Sequence, residues 1–263
     1  MAENKLITPD PWTRLQALTR ARIALGRSGV SLPTREVLGF GLAHAQARDA
    51  VHQPLDVAAL DAAFRDAGFA TRTVTSRAPD RVSYLRRPDW GRRLAESSVS
   101  LLKASAPAPA KIAFLVADGL SSLATQRHSL PLLQALKPWF PDLCACPVVI
   151  ATQGRVALGD EVGALLGSEM VVVLIGERPG LSSPDSLGIY LTGAPQVGLT
   201  DAARNCISNV RPEGLDYPEA ARKLAFLLAG AHRLGRTGVE LKDDSDERLP
   251  DERPEAFALA APA

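Results

Sequence analysis

Met170-Val171-Val172-Val173-Leu174-Ile175-Gly176-Glu177-Arg178-Pro179-Gly180 is the stretch whose reading decides the fold. An unbroken aliphatic run is too apolar for a strand with one wet face. It predicts a strand covered on both faces, the mark of a parallel sheet packed between helices. The run stops in a charged turn carrying Pro and Gly. Open α/β sheets bind ligands in the crevice beyond the carboxyl ends of their strands, so Glu177 stands where such a fold places ligand contacts.

Two further runs repeat the pattern upstream. Ile112 to Val116 is an apolar strand followed by Ala117-Asp118-Gly119-Leu120-Ser121-Ser122 and a helix to about Leu136. Val148 to Ala151 is followed by Gly154-Arg155 and a helix from Val156 to Leu166. Strand–helix units of this length predict a Rossmann-like, doubly wound parallel sheet. Leu187 to Leu191 adds a fourth strand, and Pro218 to Leu234 a long covering helix.

The first hundred residues read differently. Trp12 to Leu25, Thr34 to Ala45 and Asp56 to Ala67 show helical spacing, and Gly68 stops the third. Gly39-x-Gly41 lies inside a helical pattern and not after a strand, which rules out a dinucleotide fingerprint there. Residues 71–93 are dense in arginine, and Arg87-Pro88-Asp89-Trp90-Gly91-Arg92-Arg93-Leu94 leads into a helix ending near Lys103. Arg and Trp are enriched at protein interfaces and Lys is depleted. The N-terminal helices, with Arg86, Arg87, Trp90, Arg92 and Arg93, are therefore expected to contact a partner subunit. The chain divides into a helical, Arg-rich region over 1–103, a Pro/Ala linker over 104–110, an α/β domain over 111–240 and an acidic tail over 241–263. From Asp243 onward the tail is too polar to offset its ordering entropy and is expected to be disordered.

Bulk properties narrow the classes. Hydrophobic residues make up 46% of the 263, enough for a sizeable core, and the net charge of +1 disfavours a dedicated nucleic-acid binder. Charge is unevenly spread: residues 1–103 carry 16 Lys/Arg against 10 Asp/Glu, and residues 240–263 carry 3 against 8. No basic run is interleaved with aromatics. Cys144, Cys146 and Cys206 lack the spacing of a zinc site or a disulfide framework, which suggests a reducing compartment. Met1 to Asp10 has no apolar signal-peptide core, and no run is long enough to span a bilayer. A soluble, intracellular protein is expected.

The turns after the three strands, Asp118 to Ser122, Gln153 to Val156 and Gly176 to Gly180, open on one rim of the sheet. Ala203-Arg204-Asn205-Cys206-Ile207-Ser208-Asn209 could close over them. Walker-type, GxGxxG and GxSxG motifs are absent from these turns. Ser121, His128 and Asp118 lie too close together in sequence for a good catalytic triad, and Asp118 or Ser121 suits a helix cap better.

At these blocks a family resemblance enters. Val116-Ala117-Asp118-Gly119-Leu120-Ser121-Ser122, Gly154-Arg155-Val156, Gly176-Glu177-Arg178-Pro179-Gly180-Leu181 and Cys206-Ile207-Ser208-Asn209 resemble the small (light) subunit of ethanolamine ammonia-lyase. So do Ala21-Arg22-Ile23-Ala24-Leu25-Gly26-Arg27-Ser28-Gly29 and Arg87 to Leu94, so that the likeness runs in order over residues 12 to 240. It implies an adenosylcobalamin-dependent lyase converting ethanolamine to acetaldehyde and ammonia by radical chemistry. In such an enzyme the small subunit helps bind the corrinoid while a large, (β/α)8-barrel subunit holds the substrate. The family pattern implies six copies of each, as a trimer of paired heterodimers. Its cobalamin contacts correspond to Val156, Glu177 and Cys206. None of His44, His52, His128 or His232 sits in a DxHxxG motif, in keeping with a family in which the cofactor's own dimethylbenzimidazole stays on cobalt. The resemblance implies a cytoplasmic enzyme. It also admits residence in a bacterial microcompartment, although shell-directed relatives carry a longer N-terminal extension. The competing expectation is a non-catalytic, Rossmann-like module for another small ligand.

Overall fold

A computed structural model of the chain describes residues 6–104 and 110–247. Six strands form one sheet in the order β1-β3-β2-β4-β5-β6: Thr71–Thr75, Val148–Thr152, Ile112–Ala117, Met170–Gly176, Leu187–Gly193 and Arg204–Val210. Every residue of β2 and β4 is buried, as their continuous apolar runs require. Side chains alternate between two cores. Ile112, Phe114, Val116, Val172 and Leu174 pack under helices α2 (Val57–Asp66), α5 (Ser122–Leu136) and α7 (Tyr217–Leu234). Ala113, Leu115, Ala117, Val171 and Val173 meet α4 (Glu96–Ala104) and α6 (Leu158–Leu165) on the other side. The architecture is three layers, α/β/α.

The sheet is mixed, which corrects the expectation of a parallel doubly wound sheet. β1, β3, β2 and β4 are mutually parallel, but β5 runs antiparallel to β4, and β6 antiparallel to β5. The physical reason lies in the connections. A parallel return needs a crossover of a dozen or more residues, usually a helix. Residues 177–186 hold Pro179, Gly180 and Pro184 and form no helix, so the chain folds back beside the strand it has just left.

Two strands escaped the sequence reading. β1, Thr71-Arg72-Thr73-Val74-Thr75, lies in the stretch assigned to an N-terminal helical region; it carries a single buried residue, too weak an alternation to announce a strand. β6 was read as a polar stretch closing over the rim; it is an edge strand with Ile207 and Val210 buried and Cys206 and Ser208 exposed.

The N-terminal helices are partly as expected. Helix α1 spans Thr34–His52, and α2 starts from Asp56, whose carboxylate accepts from the Ala59 N–H at 3.0 Å. Between Trp12 and Leu25 only a 3-10 segment, Thr13–Leu18, forms, and it buries nothing. A further helix, α3 (Arg81–Arg86), lies within the arginine-rich stretch. At the other end residues 241–247 are structured: Leu241 and Ser245 are buried, and Lys223 of α7 reaches Asp246 at 2.5 Å. The expected linker residues 105–109 and the tail residues 248–263 lie outside the described residues.

Candidate functional site

The mixed topology creates the site. Helices α4 and α6 pack on one face of the parallel strands; beside them, on β5 and β6, Thr192 is buried against Arg204, which also holds Asp160 of α6, while Tyr190 is only half-buried. Only Tyr190 of those two strands packs against that core. The opening at Tyr190 continues into the strand-end rim as one cleft of about 810 Å³. Gly119 and Leu120 after β2, Arg155 and Val156 after β3, and Gly176 at the end of β4 with Glu177 and Arg178 beyond it line its upper part. Tyr190 and residues 197–201 line the lower part.

The rim is tightly built. Gly119 has a φ of +58°, and a Cβ there would stand 2.2 Å from the Gly176 carbonyl oxygen. Only glycine allows the two turns to approach this closely. Asp118 is buried and accepts from the Gln153 N–H at 2.8 Å and the Gly154 N–H at 2.9 Å, tying the second turn to the first. Burial pushes its carboxyl up, and the two backbone N–H groups pull it back. Ser121 caps α5 by accepting from the Ala124 N–H at 3.3 Å, and its hydroxyl donates to the Pro184 carbonyl at 2.8 Å. His128 is bonded through Nδ1 to the Tyr217 hydroxyl at 2.7 Å. Ser121, His128 and Asp118 thus serve three separate contacts and form no triad.

Of the three residues singled out from the sequence, Val156 and Glu177 share the cleft. The Glu177 Oε2 accepts from the Asn209 N–H at 3.2 Å, and its own N–H donates to the Ser186 carbonyl at 3.0 Å. Gly188 on β5 leaves room for this side chain, since a Cβ there would stand 3.1 Å from its Oε1. Cys206 is not part of the cleft lining. It sits one strand further out, exposed, directly opposite Tyr190 in the β5–β6 register. Opposed residues of an antiparallel pair share a face, so Cys206 borders the cleft through Tyr190. Burial, with Cys206 beside it, pushes the Tyr190 hydroxyl well above its ordinary range.

Sequence reasoning missed the wall opposite Tyr190. The arginine-rich stretch was expected to face a partner, but part of it is built onto the β3–α6 turn. The Tyr84 hydroxyl donates to the Gly154 carbonyl at 3.2 Å, and burial pushes its pKa up to about 12. The Arg155 N–H donates to the Gly91 carbonyl at 2.8 Å. Arg93 grips Glu161 with two bonds of 3.1 Å. Arg92 and Arg93 line the cleft, whereas Arg86 and Arg87 are exposed and Trp90 is half-buried. One signal was available in the sequence: Leu187-Gly188-Ile189-Tyr190-Leu191 alternates, which sets Gly188 and Tyr190 on the face away from the three aliphatics.

With this geometry in place, comparison with known proteins decides the family. The family model for the ethanolamine ammonia-lyase light chain (EutC) matches residues 9–242. The chain belongs to this family. It is 56% identical over 248 residues to the ethanolamine ammonia-lyase small subunit of Ralstonia nicotianae, covering 92% of each chain. It is 54% identical over 251 residues to that of Azotobacter vinelandii, covering 94% of this chain and 93% of the relative. The small subunit of Pseudomonas putida is 54% identical over 254 residues, 93% of this chain and 92% of the relative. The light-chain match runs through α1, all six strands and α7, so the cleft lies wholly within the family region. Among the described residues no group of three or more His, Cys, Asp or Glu side chains is placed to hold a metal ion, and no helix is long and apolar enough to cross a membrane.

Proposed function

We propose that the chain is the small subunit of an adenosylcobalamin-dependent ethanolamine ammonia-lyase and forms part of the corrinoid site. The observation carrying this reading is the cleft itself, in a chain of this family, with Val156 and Glu177 on its rim and Cys206 at its border. The lining suits a corrinoid. A broad ring edged with amide side chains needs an open floor, apolar surface and dispersed hydrogen-bonding groups, and the cleft offers Val156, Ile175 and Tyr190 beside Glu177 and Arg155. Adenosylcobalamin, when bound, supplies a carbon-centred radical by cleavage of its cobalt–carbon bond. This chain's residues do the binding. Glu177 is a carboxylate acceptor for an amide N–H, Val156 an apolar contact, and Cys206 a small, weakly polar contact at the edge.

The substrate would be held by a large subunit, six copies of each chain making the enzyme. Residues 1–103 would supply the contact region, chiefly the apolar surface of the N-terminal segment and α1, in a cytoplasmic complex that the family association allows inside a microcompartment. Co-expression with a barrel-type large subunit tests the reading. A corrinoid-laden complex that turns ethanolamine into acetaldehyde is expected. A chain that neither joins the large subunit nor retains cobalamin would overturn it.

A further inference from the structure

Among the charged groups lining the cleft, Arg155 stands out by how it is held and by what it lacks. Three of the cleft's carboxylates are in ion pairs. Asp89 takes two bonds from Arg87 at 3.0 and 2.7 Å. Asp160 is in a buried pair with Arg204, which also reaches Asp201. Glu177 accepts from the Asn209 N–H. No ion pair among the described residues uses Arg92, Arg155 or Arg178, all of which line the cleft. Three guanidinium groups thus line the cleft outside any such ion pair, against one carboxylate, Glu177.

Arg155 is the one of the three with a fixed guanidinium. Its Cζ lies 4.5 Å from the centre of the Tyr84 ring, its Nη2 donates to the Tyr84 carbonyl at 3.1 Å, and its backbone N–H is held by Gly91. Gly91 allows this closure: a Cβ there would stand 2.9 Å from the Arg155 Cγ. The Nε is buried without a partner, and no hydrogen bond among the described residues uses Nη1. A planar donor set, stacked on an aromatic and pinned at one side, is already arranged for an anionic oxygen and loses little freedom on binding it.

We propose that Arg155 grips the phosphodiester of the cofactor's nucleotide loop. This rests on the cofactor assignment above and adds a role which that assignment leaves open. The peripheral amides of a cobalamin are neutral, and the phosphodiester is its one peripheral anion. It is thus the group that an unpaired guanidinium in a corrinoid cleft selects, through charge-assisted N–H···O⁻ bonds. Arg92 and Arg178 raise the local positive potential without being fixed.

The test compares two ligands on the assembled complex, by visible-absorbance titration: adenosylcobalamin, and adenosylcobinamide, which has the same corrin but no nucleotide loop. In Arg155→Met, which keeps an unbranched stem beside Gly91 but has no guanidinium, the affinity for adenosylcobalamin should fall by about tenfold or more, the scale of one charged hydrogen bond. Affinity for adenosylcobinamide should stay at the wild-type value. Arg155→Lys, which keeps the charge, should recover part of the preference for adenosylcobalamin. Equal weakening of both ligands would make Arg155 a structural part of the wall and overturn the proposal, as would no change in either. A wild-type complex that binds neither ligand would instead remove the cofactor assignment itself.

Discussion

The N-terminal segment and the sheet meet solvent in opposite ways. In β2 and β4 every residue is buried, and Leu115 has no exposed surface at all. In α1 only Ala43 and Ala50 of 19 residues are buried, while Val37, Leu38, Phe40 and Leu42 stand exposed. Leu6, Trp12 and Leu18 before it are also open to solvent. The sheet satisfies its hydrophobic pattern within the chain. The segment presents an apolar surface of the kind that marks an interaction site. The difference teaches that the sheet finds its apolar partners within the chain and the N-terminal segment does not.

The largest expected effect breaks the sheet side of this comparison. Leu115→Ala removes a fully buried side chain between β2 and α6, and should cost about 2–5 kcal/mol in urea unfolding of the isolated chain. A loss no greater than that of an exposed substitution would mean that the core around α6 is not formed. Leu38→Ser with Leu42→Ser makes the opposite case. These exposed residues should change the stability of the isolated chain by only about 0.5 kcal/mol each, and weaken association with the large subunit by about 2 kcal/mol or more. Analytical ultracentrifugation of the mixed subunits reads the second figure. Unchanged association would move the contact surface elsewhere, with Trp90→Ala the next variant to try.

Glu177 sharpens the comparison at the cleft. Glu177→Ala should weaken cobalamin binding to the complex by about 1.5–3 kcal/mol, and Glu177→Gln by less, because the amide keeps an acceptor oxygen but loses the charge. A drop in thermal midpoint would instead assign Glu177 to holding β6 through the Asn209 N–H.

The smallest effect concerns pH. Burial alone would raise the Glu161 carboxyl, but the Arg93 guanidinium and the Leu94 N–H outweigh it and hold the group below its ordinary 4.5. A depressed carboxyl stabilises the fold above its unfolded pKa, and that stabilisation is lost as pH falls through the lower folded value. With Arg93 partly exposed the effect is screened, so Glu161→Gln should cost only about 0.5–1 kcal/mol at neutral pH. The gap between wild type and variant should close as pH drops below 4.5. A gap constant from neutral pH to pH 3, seen in denaturation midpoints, would show that the charge contributes nothing.

Much of this was legible in the residues. The unbroken runs at 112–116, 148–151 and 171–175 announce buried strands, because only a strand covered on both faces tolerates such a run. Asp56 and Ser121 mark helix starts that the fold uses. Motif blocks along the chain point to the ammonia-lyase light-chain family before any coordinate is known. Glu177 followed from a general rule about strand ends and Val156 from the family resemblance, and the two share one cleft.

What remained hidden was direction and distant pairing. A run of valines reports burial and not whether its neighbour runs the same way, so the antiparallel return of β5 emerged only when residues 177–186 proved to hold no crossover helix. β1 and β6 carry too few buried residues to declare themselves; their places at the two edges of the sheet are decided by pairing, β1 with the distant β3 and β6 with the preceding β5. The Tyr84–Arg155 wall likewise joins residues 71 apart, through contacts that no local spacing encodes. The chain itself thus determined which residues would be inside. Tertiary structure alone decided that β5 would return beside β4, because residues 177–186 form no crossover helix, and that return is what brings Tyr190 into one cleft with the strand-end turns.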